Sequence, residues 1–124
     1  IQLHGNEDET FIRQIRQMTG KSVIKAVSVR QPEDINAWQD SGADYLLFDY
    51  GQGGTGETFD WNCLNQNKVT GKPYFLAGGI NCDNLNAALG YEPYCIDVSS
   101  GAETGDIKDR DKIQKIIEMV RAGD

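Results

Sequence analysis

Short β-prone runs alternate with helix-spaced segments from one end of this chain to the other, and that alternation limits the fold more than any other feature. Val23–Val29, Tyr45–Phe48, Pro73–Ala77 and Tyr94–Val98 are apolar and rich in β-branched or aromatic residues, so each reads as a strand. Ile1–Gly5 reads as the remnant of another. Between them, Glu7–Met18 sets Phe11, Ile12, Ile15 and Met18 at helical spacing behind leading acids, and Gly20 closes the helix. Gln31–Ser41 is expected to be a helix with Pro32 in its first turn and Ile35, Ala37 and Trp38 facing the core. Asp60 is expected to cap a short helix to Asn67, and Asn81 one to Leu89. A polar loop follows from Ser99 to Lys108. Asp109 then caps a last helix with Ile113, Ile116, Ile117 and Val120 on its core side. Strand and helix in strict alternation imply an α/β fold with a parallel sheet and right-handed crossovers. The 124 residues contain no linker or low-complexity stretch, so 1–124 is one unit.

One strand carries a chemical signal at its end. Leu46-Leu47-Phe48 runs into Asp49, and a glycine-dense loop follows through Gly51, Gly53, Gly54 and Gly56 to Phe59-Asp60-Trp61. In parallel α/β proteins the carboxyl ends of the strands carry the site. Gly51, Gly53 and Gly56 fit the dinucleotide fingerprint G-x-G-x-x-G. That motif needs an acid about 20 residues on, where this chain has Tyr74-Phe75-Leu76-Ala77-Gly78. The same stretch approaches a phosphate-binding P-loop, but Glu57 stands where that loop needs lysine, and a carboxylate repels phosphate.

Charge and cysteine content exclude other classes. A net charge of −7 opposes electrostatic nucleic-acid binding. No apolar run is long enough for a membrane span. Cys63, Cys82 and Cys95 lack CxxC spacing, and with a single histidine they do not make a structural zinc site. They read as reduced packing thiols of a cytoplasmic protein. Trp38 and Trp61 read as core residues, and Arg13 and Arg16 as a solvated helix face.

Three motifs in order go further. They are Leu46-Leu47-Phe48-Asp49 with Gly53-Gly54-Thr55-Gly56 and Phe59-Asp60-Trp61, then Leu76-Ala77-Gly78-Gly79-Ile80-Asn81, then Asp97-Val98-Ser99-Ser100-Gly101-Ala102-Glu103 with Lys108-Asp109. Together they closely resemble the phosphoribosylanthranilate isomerases of tryptophan biosynthesis, an aromatic amino acid pathway. Ile1-Gln2-Leu3-His4-Gly5 resembles the end of that family's fourth strand. The resemblance implies the carboxyl-terminal half of a TIM (β/α)8 barrel, from the end of strand four through helix eight. It also implies an isomerase that turns an aldose into a ketose by an Amadori rearrangement, with no cofactor and no metal.

The resemblance casts Asp49 as the general acid that protonates the ribose ring oxygen. It leaves Gly78 and Gly79, with Ser99, Ser100 and Gly101, as backbone donors to the substrate phosphate. By their position after two successive strands these residues suit either phosphate binding or ordinary turns. Asp97 suits a sugar hydroxyl or a structural carboxylate. Gly53 and Gly54 suit a loop over the substrate or plain turn geometry. Gln2 and His4 alternate on one strand and so share a face, which puts both toward the site mouth or leaves them solvated. The family's base is a cysteine in a Lys-(Val/Ile)-Cys-Gly motif, and no cysteine here matches it. The expectation is a fragment, inactive alone, whose phosphorylated small-molecule substrate needs the other half of the barrel. Five strands at most cannot close an eight-strand barrel, so either the missing half covers the edges or the chain self-associates. Two alternatives stand beside this reading. One is another ribulose-phosphate-type barrel enzyme, such as indole-glycerol-phosphate synthase, with Lys25 as the candidate catalytic lysine, although that lysine also suits the isomerase pattern. The other is a non-catalytic phosphate-binding half-barrel.

Overall fold

The computed structural model describes residues 1–50, 58–66 and 71–123. Five strands, β1 (Gln2–Leu3), β2 (Ile24–Ser28), β3 (Tyr45–Asp49), β4 (Tyr74–Leu76) and β5 (Cys95–Ile96), form one parallel sheet. Their order in the sheet is their order in the chain. Because the order never reverses, right-handed crossovers carry every connection to the same side.

The register shows the consequence. Lys25 lies beside Leu3 and Leu46, and Leu46 beside Tyr74. Side chains alternate along a strand, so Leu3, Lys25, Val27, Leu46, Phe48, Tyr74 and Leu76 share one face. That face forms the core with Ile12 of α1 (Glu9–Thr19), Cys63 and Leu64 of α2 (Asn62–Gln66), and Leu85 and Ala88 of α3 (Leu85–Leu89). Ile12, Leu46, Phe48, Leu76 and Leu85 are fully buried. Each such side chain stabilises the fold by about 1.5–3 kcal/mol. The opposite face carries Ala26, Ser28, Tyr45, Leu47, Asp49, Phe75 and Cys95. Tyr45 packs there against Phe75 at 5.6 Å and against Tyr94 at 5.2 Å between ring centroids. No helix among the described residues covers this second face, and Tyr94 is 65% exposed.

Helix termini follow the sequence. Asp8 Oδ1 accepts from the Phe11 N–H at 2.9 Å, and Gly20 ends α1 at φ 65°. Asp60 Oδ1 accepts from the Asn62 N–H at 3.0 Å. Asp109 Oδ1 accepts from the Asp111 and Lys112 N–H groups at the start of α4 (Arg110–Ala122). On α1 only Ile12 is fully buried, while Phe11 and Met18 face solvent, so the apolar stripe is narrower than its spacing implies.

Three expectations are corrected. Gln31–Ser41 is not a helix: a single 3-10 turn, Pro32–Ile35, gives way to further turns closed by bonds such as Gln39 N–H to Asn36 O at 3.3 Å. The Asp34 carboxylate draws the chain tight by accepting from the N–H groups of Arg30 and Gln31 at 2.9 and 3.1 Å. Ile35 and Trp38 still reach the core, whereas Ala37 is exposed. Helix α3 begins at Leu85 rather than Asn81. Asn81 caps the turn that leads into it, its Oδ1 accepting from Asp83 and Asn84 N–H at 2.8 and 3.1 Å. The stretch 99–108 is not a plain loop. It holds a 3-10 turn, Ser100–Ala102, and a small antiparallel hairpin of β6 (Glu103–Thr104) and β7 (Ile107–Lys108). Gly105 and Asp106 both have positive φ, the geometry of a tight hairpin turn.

On α4 the expected core side is only partly covered. Ile116 and Val120 pack on the core, but Ile113 and Ile117 remain 37% and 44% exposed. No described helix is long and apolar enough to cross a membrane.

Candidate active site

The candidate site residues within the described part lie at the carboxyl end of the sheet or just beyond it, except for His4 and for Gln2, which is level with the first residues of β2 and β3. Asp49 closes β3 on the uncovered face, with Ser28 as its register partner. The Val29 N–H donates to its carbonyl at 2.7 Å, which anchors the strand end. The side chain is half-buried. It lies against Gly78, whose φ of +86° turns the chain directly after β4. A side chain at 78 would collide with the carboxylate, so the glycine is required by the position of Asp49 as well as by its own backbone.

A cavity of about 640 Å³ opens beside Asp49. His4, Gly5, Ser28 and Asp34 line it with Asp49, as do Lys25 and Trp38. His4 and Gln2 share a face and join through Nε2 and Oε1 at 2.7 Å. His4 thus reaches the same cavity as Asp49, with Gln2 bonded to it. Ser28 is a residue the sequence reading missed. The available signal was its place at the end of β2, level with Asp49.

A second cavity, about 350 Å³, lies beyond β4 and β5. Gly79, Asn81, Cys82, Asp83, Ser100, Gly101 and Lys112 line it, so one ammonium and one carboxylate face the same recess. Gly101 packs so tightly on the Ile80 carbonyl that no side chain fits there. The Asn84 amide donates to the Gly79 carbonyl at 2.9 Å and holds that turn. Lys112 enters from the first turn of α4, donating through Nζ to the Glu103 carbonyl at 2.6 Å. It is a second residue the sequence reading missed. Ser99 is placed differently: its carbonyl accepts from Lys108 Nζ at 3.1 Å at the rim. Gly78 belongs to the Asp49 side. Gly79, Ser100 and Gly101 are therefore the expected phosphate residues that converge.

Asp97 is exposed and follows β5. Phe75 pairs with both Leu47 and Cys95, so Asp97 stands level with Asp49 on the same face, two strands away. That puts the two Cα atoms about 10 Å apart. Gly53 and Gly54 lie outside the described residues.

Lys25 lines the same cavity as Asp49 from the other face of β2, where its Nζ donates to the Gly5 carbonyl at 2.9 Å. The thiols of Cys63 and Cys95 are both pushed up, first by burial and then by the carboxylates of Asp60 and Asp97 respectively. Neither is a ready thiolate base.

The arrangement is a half-buried carboxylate at one strand end, with a smaller recess one loop away. Residues 1–119 match the family described as N-(5'phosphoribosyl)anthranilate (PRA) isomerase. A relative from Endomicrobium trichonymphae, named N-(5'-phosphoribosyl)anthranilate isomerase, is 40% identical across 98% of this chain and 60% of its own length. The crystal structure of phosphoribosyl anthranilate isomerase from Thermus thermophilus superposes with a TM-score of 0.82 at 30% identity, over 98% of this chain and 60% of that one. A phosphoribosyl anthranilate isomerase in complex with reduced 1-(o-carboxyphenylamino)-1-deoxyribulose 5-phosphate gives 0.77 at 31% identity, over 98% and 58%. The chain spans about 60% of the length of the relatives it matches.

Proposed function

The chain belongs to the N-(5'-phosphoribosyl)anthranilate isomerase family, and on that premise we propose that it supplies the acid and the phosphate site of that enzyme. The reaction is the rearrangement of N-(5'-phosphoribosyl)anthranilate to 1-(2-carboxyphenylamino)-1-deoxyribulose 5-phosphate. Asp49 donates a proton to the ribose ring oxygen, and the ring opens to a Schiff base. A base then takes the C2' proton, and the resulting enolamine tautomerises to the ketone. A positioned acid and base on opposite sides of the sugar are what such transfers need.

The observation that carries this reading is the placement of Asp49 on the uncovered face, with its carboxylate against Gly78 and one loop from the recess of Gly79, Ser100, Gly101 and Lys112. A substrate phosphate seated in that recess extends its sugar toward Asp49. Backbone N–H groups and an ammonium suit a phosphate, and barrels bind phosphate after their last two strands. Asp97, level with Asp49, suits a ribose hydroxyl, and Gln2 and His4 suit the far end of the substrate. Burial keeps the thiols of Cys63 and Cys95 from serving as the base.

We further infer that the sheet is the carboxyl-terminal half of a (β/α)8 barrel and that the edges of β1 and β5 are covered in the working enzyme. The cover is the remaining part of the barrel, which also brings the base, or a second copy of this chain. On this reading the chain alone binds ligand but does not turn over.

The test is calorimetric titration of the chain with reduced 1-(o-carboxyphenylamino)-1-deoxyribulose 5-phosphate, followed by an isomerase assay with and without the cysteine-bearing half of a relative. Binding alone, and turnover only on complementation, is the expected result. No binding and no turnover in either case overturns the proposal. Binding with no turnover on complementation favours a phosphate-binding module, for which the recess is already complete within this chain.

A further inference from the structure

Lys25 is the buried charged residue of the described core, 3% exposed, and the reaction above does not use it. Its Nζ donates to the Gly5 carbonyl at 2.9 Å and lies 3.4 Å from Glu7 Oε2. The ammonium also sits 4.9 Å from the centroid of the Trp38 ring. Glu7 in turn accepts from the Gly5 N–H, at 2.8 Å for Oε2. Both backbone groups of Gly5 are thus held by side chains.

This matters because β1 is short. Its ladder with β2 consists of Gln2 beside Ile24 and Leu3 beside Lys25, and there the pairing ends. Beyond Leu3 the strand no longer fixes the chain. The Lys25 side chain takes over, reaching past the end of the ladder to Gly5. His4 stands between these two anchors, on the cavity that Asp49 also lines. The Trp38 ring and the Glu7 carboxylate keep the ammonium satisfied where an unpaired buried charge would be strongly unfavourable.

We propose that Lys25 is a positioning residue: by clamping Gly5 through its buried ammonium it holds His4, and with it Gln2, at the mouth of the Asp49 cavity. Its bearing on substrate rests on the function proposed above, while its effect on His4 does not. An apolar residue of the same length would pack in the same space but leave the Gly5 carbonyl without the Lys25 donor. An arginine would keep the charge and reach the same carbonyl.

The chain has a single histidine, so its imidazole protons give one unambiguous NMR reporter. The experiment compares Lys25→Met, Lys25→Arg and Glu7→Gln by that signal and by titration with reduced 1-(o-carboxyphenylamino)-1-deoxyribulose 5-phosphate. Lys25→Met is expected to shift or broaden the His4 signal and to weaken analogue binding by about tenfold, since small misplacements at a site are amplified in this way. Lys25→Arg is expected to restore both. An unchanged His4 signal in folded Lys25→Met overturns the proposal. If Lys25→Met does not fold, Glu7→Gln decides it: the amide keeps an acceptor for the Gly5 N–H but removes the ionic partner of the ammonium, so an unchanged His4 signal there overturns the proposal. If the unmodified chain does not bind the analogue, the function proposal fails, and the His4 signal still decides the clamp.

Discussion

A Cβ built on Gly78 would lie 2.5 Å from Oδ1 of Asp49 and 3.1 Å from the Tyr50 N–H nitrogen. The acid at the end of β3 and the glycine after β4 are fitted to one another. Gly78→Ala meets this collision and a φ of +86° at once. It is expected to lose more than about 1 kcal/mol of stability by urea unfolding. In the complemented enzyme it should also cut kcat/KM about 100-fold, because the carboxylate must move. Near-normal turnover would show that Asp49 has other room.

Asp49→Asn keeps the size of the side chain and removes its proton. Analogue affinity should stay within a few-fold of the unmodified chain. Turnover in the complemented enzyme should fall by about 10²–10⁴, the usual range for a lost general acid. An equal fall in affinity and turnover would assign Asp49 to binding instead.

Gly101→Ala pushes a methyl group into the Ile80 carbonyl, backbone against backbone, with no flexible side chain to yield. The turn Ser100–Ala102 must shift, and the recess it forms with Gly79 must open. Inorganic phosphate or analogue binding should be lost while Asp49-side substitutions leave phosphate binding intact. Retained phosphate affinity would place the anion elsewhere.

Tyr74 is mostly buried, and its hydroxyl donates to the Tyr91 carbonyl at 2.5 Å. Burial, with Glu92 and Tyr91 nearby, pushes its pKa up to about 12. A pKa raised above the unfolded value, about 10, means that the neutral phenol is favoured by folding. That stabilisation is complete below about pH 10 and is lost as pH rises through about 12. Tyr45 is also raised, by its hydrogen bond with Tyr94, so ultraviolet titration should show late-titrating tyrosines, and Tyr74→Phe should remove the component at about 12. The substitution should cost about 1 kcal/mol at neutral pH, because the Tyr91 carbonyl loses its donor.

Asp109 shows the opposite sign. The Thr104 hydroxyl, at 2.7 Å, and then the backbone N–H groups of α4 hold its carboxyl below the ordinary value. Its contribution is present above the unfolded carboxylate pKa and is lost as pH falls through the lower, folded value. Acid unfolding followed by circular dichroism should therefore begin at higher pH in Thr104→Val than in the unmodified chain.

Local patterns made much of this legible. Apolar runs bounded by glycine marked the strands, because a buried strand needs little more than that. Asp60 and Asp109 marked helix starts, because a carboxylate there satisfies N–H groups within three residues of itself. Asp49 stood out because it ends an apolar strand. The stretch 31–41 was misread because Pro32 and its apolar neighbours suit a helix, while Asp34 turns back to bond Arg30 and Gln31. The hairpin of β6 and β7 is only two residues a side, too short for any alternation to show.

The alternating segments, the parallel sheet and the caps at Asp60 and Asp109 are legible in the residues alone, since each depends on contacts between near neighbours or on a period of two or 3.6 residues. Only the tertiary structure decided which residues share a cavity. His4 faces the Asp49 cavity, Ser28 stands level with Asp49, and Lys112 reaches the recess of Gly79 and Gly101. It also buried the Lys25 ammonium at the edge of the Asp49 cavity, where Gly5, Glu7 and Trp38 receive its charge. Strand register makes these choices: a shift of one residue exchanges the two faces of a strand, and which register is kept is settled by packing between segments far apart in the chain.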